Sequence, residues 1–138
     1  METWPGGLPV AQVRVARPTD KLAEVVAFYR CLGLPELGRF SGHAGYDGVM
    51  LGLPGTGYHL EFTAHVDGSP GPAPTTENLL VLYFDGAAGM SGVVARLAEA
   101  GHEPVELENP YWAEHGGLGF ADPDGWLVVL VPEPAWRR

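Results

Sequence analysis

His59 and Glu61 stand two residues apart in the run Tyr58-His59-Leu60-Glu61-Phe62-Thr63. In an extended strand, residues two apart share a face, so His59, Glu61 and Thr63 lie together and Tyr58, Leu60 and Phe62 lie opposite. An imidazole beside a carboxylate can do general acid and base work. The same pair can also bond to each other, or touch a ligand without chemistry. Earlier in the chain, Arg14 and Gln12 share one side of an alternating stretch, Val10 to Ala16, whose other side is Ala11, Val13 and Val15. Later, Tyr111, Trp112 and His115 crowd the run Glu108 to His115, beside Asn109-Pro110. Two aromatics there can form a lid that stacks on a planar ligand or a cation. A plug or a dimer contact would use them equally well. His43 and His102 read as surface-loop and helix-end residues. No Gly-rich phosphate loop, nucleophile elbow, paired-cysteine motif or His-Glu-x-x-His is present, so those reaction classes have no support.

The chain has 138 residues, a net charge of −9 and only 8 Lys and Arg. Phosphate neutralisation needs basic clusters, which makes nucleic acid a poor partner. The acidic balance suits a cationic ligand, or simply keeps the protein in solution. Cys31 is the one cysteine, so no internal disulfide can form. No apolar run reaches membrane-spanning length. The start, Met-Glu-Thr-Trp-Pro-Gly-Gly, lacks the basic flank and apolar core of a signal peptide. The expectation is a cytoplasmic protein with no membrane partner.

The elements that must position these residues repeat. Leu118 to Val131 reads as a hairpin around Asp122-Pro123-Asp124-Gly125, where Pro presets φ at the second turn position. Val49 to Thr63 has the same form. Setting Gly57 on Gly125, 68 residues on, puts Tyr58 on Trp126 and Glu61 on Val129; Gly33 then meets Gly101. Leu22, Val25, Val26, Tyr29 and Leu32 make a helical stripe, with Thr19 or Asp20 as its N-cap and Gly33 as its end. Asp85 to Ala100 is its counterpart, and Val105 to Leu107 a short strand. The order is β-α-β-β-β twice. Module one spans about 10–64, a Pro/Gly/Ser linker 66–76, and module two about 77–133, within a single domain. Helices are too few for a parallel α/β sheet, so the class is α+β, with antiparallel or mixed sheets and the helices on one face.

Several motifs add a family resemblance. They are Arg17-Pro18, Ala27-Phe28-Tyr29-Arg30 with Leu32-Gly33-Leu34, Leu60-Glu61, Ala98 to His102, and Phe120-Ala121-Asp122-Pro123-Asp124-Gly125. Together they resemble the vicinal oxygen chelate superfamily of glyoxalases, extradiol dioxygenases and fosfomycin- and bleomycin-resistance proteins. The resemblance implies two modules, related by a pseudo-twofold, whose curled sheets form a cup with the helices outside. It also implies that Arg14 points into the cup, where it clamps a carboxylate or phosphate or pairs with Glu61. The family's enzymes hold a divalent metal from an early and a late strand position in each module. Those positions fall near Val10 and Leu79, and at Glu61 and Val129. Of these four only Glu61 can bind a cation; register shifts would bring in Gln12, Glu77 or Asn78, but nothing rescues Val129. The expectation is therefore no metal cofactor and no assigned catalytic residue, with His59 and Glu61 the candidates if there is one. Gln12, Arg14, His59, Glu61, Tyr83, Tyr111, Trp112 and Val129 are the expected ligand-binding residues. Leu79, Val81, Tyr83, Leu127, Val129 and Val131 form an apolar wall. The function implied is sequestration of an aromatic or cationic small molecule, as in bleomycin resistance, by a homodimer. The alternatives are a glyoxalase- or dioxygenase-like lyase or isomerase using His59 and Glu61 with an atypical metal site, and a structural dimer whose cup is filled by its own side chains.

Overall fold

Alternating apolar residues and two amphipathic helices build two sheets that share one core with the helices. The computed structural model describes residues 11–71 and 75–135; Val10, and with it one expected metal position, lies outside them. Module one runs β1 (Val13–Pro18), α1 (Leu22–Cys31), β2 (Glu36–His43), β3 (Tyr46–Gly52) and β4 (Tyr58–His65). Module two runs β5 (Leu79–Tyr83), α2 (Ala87–Glu99), α3 (Tyr111–Glu114), β6 (Leu118–Ala121) and β7 (Leu127–Val131). The first sheet is ordered β1-β4-β3-β2 and the second β5-β7-β6; in each the first strand runs parallel to the last. The two sheets do not close on one another through backbone pairing. This is the expected α+β class with two modules.

The hydrophobic stripes do the packing. Val25, Val26, Phe28 and Tyr29 of α1 and Met90, Val93 and Leu97 of α2 are buried with Leu60, Phe62, Phe120, Val128 and Leu130 in one continuous core. Each such side chain, fully buried, contributes about 1.5–3 kcal/mol. The modules are also joined by a buried polar knot. The guanidinium of Arg17 donates to the Tyr29 hydroxyl and to Asp122 Oδ2 (3.3 Å), and that hydroxyl donates to the same carboxylate at 2.7 Å. Around it, the rings of Trp126, Phe62 and Tyr29 lie 4.4, 5.0 and 5.4 Å from the Arg17 guanidinium carbon.

Four local expectations need correction. Neither Thr19 nor Asp20 caps α1: Thr19 is drawn into the β1 ladder, donating its N–H to Thr63 O, and its hydroxyl accepts from the Lys21 N–H in a tight turn. Asp20 instead accepts from the Ser69 N–H. The strand at Val105 to Leu107 is a single bridge, Val105 to Gly119. The run Glu108 to His115, read as loop, contains the one-turn helix α3. Finally, the repeat is not uniform. Thr56 N donates to Leu53 O where Gly125 N donates to Asp122 O, a step of 69 residues rather than 68 (125 − 56 = 69). The first turn thus carries one extra residue.

Candidate functional site

The strand registers decide which side chains share the non-helical face of the first sheet. Arg14 lies opposite His59 and Ala16 opposite Glu61 on the β1–β4 side, while Met50 lies opposite Glu61 and Gly52 opposite His59 on the β3 side. Leu60 and Phe62 point the other way, into the core, as the period of two requires. Tyr58 shares their direction but is half exposed, beyond the reach of α1. Arg14 closes the row: its Nε–H donates to His59 Nε2 at 2.8 Å and its Nη1 to Glu61 Oε2 at 3.2 Å. The Arg14 side chain is 46% exposed and that of Glu61 12%, so the carboxylate is sheltered and the guanidinium is its lid. Gln12 precedes β1 and is exposed.

Chemically this row is engaged rather than poised. His59 Nε2 and Glu61 Oε2 both accept from one cation. A base using either of those two atoms must first lose its bond to Arg14. What stays available is the outer edge of the guanidinium, a planar donor set suited to carboxylate or phosphate.

The corresponding face of the second sheet is filled from within. Gly119 lies opposite Val129, so their side positions share a face. A Cβ on Gly119 would come within 2.5 Å of Leu107 Cδ2, so the Leu107 side chain occupies that face. Val129 is fully buried, and Leu127 and Val131 nearly so. Val129, Leu127 and Val131 were expected to meet a ligand; Val129 and Leu127 are instead buried, with Leu107, from the chain before β6, on this side of the sheet. The expected apolar wall shrinks to Val81 and Tyr83.

These two line a cavity of about 610 Å³ at the seam between the edges of β1 and β5. Val13, Val15, Leu60, Leu80 and Leu82 supply apolar surface there, and His59 enters from the polar row. Val15 is 51% exposed although it points to the helical face, because α1 does not extend over it. Arg14 and Glu61 border the row but not this cavity. Tyr111 and Trp112 meet neither; with Tyr83 they line a separate hollow. The seam was not anticipated. Its signal was the pair Val13 and Val15, apolar residues on a strand whose neighbouring helix is only three turns long.

Two modules with these sheet orders, and Glu61 on the open face of β4, define a glyoxalase/fosfomycin-resistance-type protein of the vicinal oxygen chelate superfamily. Residues 13–63 match the YycE-like N-terminal domain and residues 77–132 the YycE-like C-terminal domain, and the chain belongs to this YycE-like family. It is 48% identical over 122 residues to the uncharacterized protein YycE of Bacillus subtilis, covering 88% of this chain and 87% of that one. A Bacillus subtilis YycE crystal structure, of unknown function and grouped with glyoxalase/fosfomycin resistance proteins, superimposes with a TM-score of 0.88 at 42% identity, covering 98% of both chains. The Leishmania major glyoxalase I has a TM-score of 0.66 at 17% identity, covering 88% of this chain and 86% of its own. TnmS3, an antibiotic-binding protein of Streptomyces sp. CB03234, has a TM-score of 0.59 at 21% identity, covering 90% and 95%. These last two likenesses are of fold alone.

The metal that the resemblance implies does not fit the residues present. By register, Leu79 lies opposite Leu127, the repeat partner of His59, so the first-module twin of Leu79 is Arg14 and not Val10. The four corners are then Arg14, Glu61, Leu79 and Val129. One is a cation already bonded to Glu61, and two have no lone pair.

Proposed function

We propose that this protein binds a small apolar or aromatic molecule in the seam cavity, without a metal, and holds it rather than transforming it. The observation that carries this reading is Arg14 laid across His59 and Glu61. It uses the only carboxylate at the expected metal corners and both candidate bases at once. The cavity beside it has the volume of a ligand site, which typically runs about 300–1,000 Å³, and an apolar lining with one polar edge. An antibiotic is a reasonable occupant, given that TnmS3 shares the fold and binds one. We further propose that the protein works as a homodimer, as the resemblance implies; sedimentation velocity at micromolar concentration tests this, and a monomer at all concentrations refutes it.

The ligand reading is tested by a thermal-shift panel of antibiotics and aromatic molecules on the wild type and on Val15→Trp. The indole is placed on an exposed wall, where it fills the seam without entering the core. At least one compound should raise the wild-type Tm and fail to do so in the variant. Metal analysis of the purified protein is the second arm. Stoichiometric zinc, nickel, iron or manganese would overturn the metal-free reading and favour a lyase or isomerase using His59 and Glu61.

A further inference from the structure

The hollow beside α3 has a chemistry of its own. It measures about 140 Å³ and is bordered by Tyr83, Tyr111, Trp112, His115 and Glu133. That is room for one head group rather than a drug-sized molecule. The Tyr111 and Trp112 rings meet at 89° with centroids 5.1 Å apart, so two aromatic walls stand at right angles. His115 stacks on Tyr111 at 4.0 Å, and its Nδ1 is bonded to the Tyr111 carbonyl at 2.8 Å, which braces that wall. Val131, which is buried, and Glu133, which is exposed, also line it, so an apolar residue and an acidic one border the aromatic walls.

Aromatic faces attract cations through the ring quadrupole, and a bordering carboxylate adds a counter-charge. The chain already uses this device: three rings enclose the Arg17 guanidinium at 4.4 to 5.4 Å. There the cation is internal and buried. At α3 Tyr111 and Tyr83 are about half exposed, so the walls are open to a molecule from outside. The overall charge of −9 favours the approach of a cation.

We propose that the α3 hollow is a binding site for a small organic cation, an alkylammonium head group of the choline type. It is separate from the seam reading, although Tyr83 borders both spaces. The test is calorimetric titration of the full chain with choline and with 3,3-dimethylbutan-1-ol, its uncharged isostere. Choline should bind saturably and the isostere roughly two- to thirtyfold more weakly, the range a cation–aromatic contact supplies. Tyr111→Leu and Glu133→Gln should each weaken choline while leaving the isostere unchanged. Glu133 is exposed, so its variant folds even if the Tyr111 variant does not. Equal binding of the two probes, no saturable binding of choline, or indifference to Glu133→Gln overturns the proposal. Loss of choline binding in Tyr111→Leu with an intact seam response in the antibiotic panel separates the two sites.

Discussion

Asp122 ties the last turn to the other module through both carboxylate oxygens. Its Oδ1 accepts from the Asp124 and Trp126 N–H groups at 2.8 and 3.0 Å, shaping the last turn. Its Oδ2 receives Arg17 and Tyr29 from the other module. Asp122→Asn keeps the turn acceptor but leaves the buried Arg17 without its counter-charge, a situation that costs about 3–5 kcal/mol. A urea titration should show that loss without a change in fold. Tyr29 adds a pH dependence. Burial, above all, holds its hydroxyl protonated well beyond the ordinary tyrosine range; Arg17 opposes this and Asp122 reinforces it. The folded-state value is raised, so the stabilisation is complete below the unfolded value of about 10 and is lost as pH rises above it. The urea midpoint should therefore fall above about pH 10, and fall less steeply in Tyr29→Phe. At this scale the sequence was partly legible. The shared face of His59 and Glu61 follows from a two-residue period, and the Arg14–Glu61 contact was one of two open readings. Arg17 and Asp122, 105 positions apart, carried no sign of each other beyond belonging to family-like motifs.

Elements fail to repeat where the two modules part company. β3 and β4 turn through one more residue than β6 and β7, and the second module's outer strand survives as the Val105 bridge alone. The chain that would have formed that strand instead carries Leu107 onto Gly119 and Trp112 against Gly117. Gly119→Ala should cost about 1–3 kcal/mol by overpacking. Combining it with Leu107→Ala should cost less than the sum of the two, because each relieves the other's clash or void. A strictly additive double-mutant cycle would contradict the contact. None of this was readable beforehand, since what matters at Gly119 is a missing side chain and no periodicity records it. The α3 turn was missed for a related reason: four residues are too few for a helical stripe to register. The hairpin at Asp122–Gly125 was readable, because Pro and Gly dictate its backbone locally.

At the scale of the molecule, the two modules share one core rather than owning one each. Phe28 of α1 packs edge-on against His102, beyond the end of α2, at 4.9 Å, and Phe120, Val128 and Leu130 belong to the same cluster as Val25 and Tyr29. Separate fragments 1–71 and 72–138 should each lack a cooperative thermal transition, and mixing them should restore one. A stable isolated half would show that the core divides. No helix among the described residues is long and apolar enough to cross a membrane. Class, module order and helix stripes were open to sequence reasoning because they depend on repeated local patterns. The seam cavity was not, because it exists only where two strand edges from distant parts of the chain stop short of each other.

Leu107 on Gly119 limits what position 129 can become. A charged side chain at position 129 needs that strand face open to water or to a counter-ion. With the leucine seated there, placing a glutamate at 129 buries a charge under hydrocarbon, and only removing the leucine first makes the change tolerable. Val129→Glu should therefore be tolerated better in the Leu107→Ala background than alone, so the order of the two changes decides whether the chain survives them.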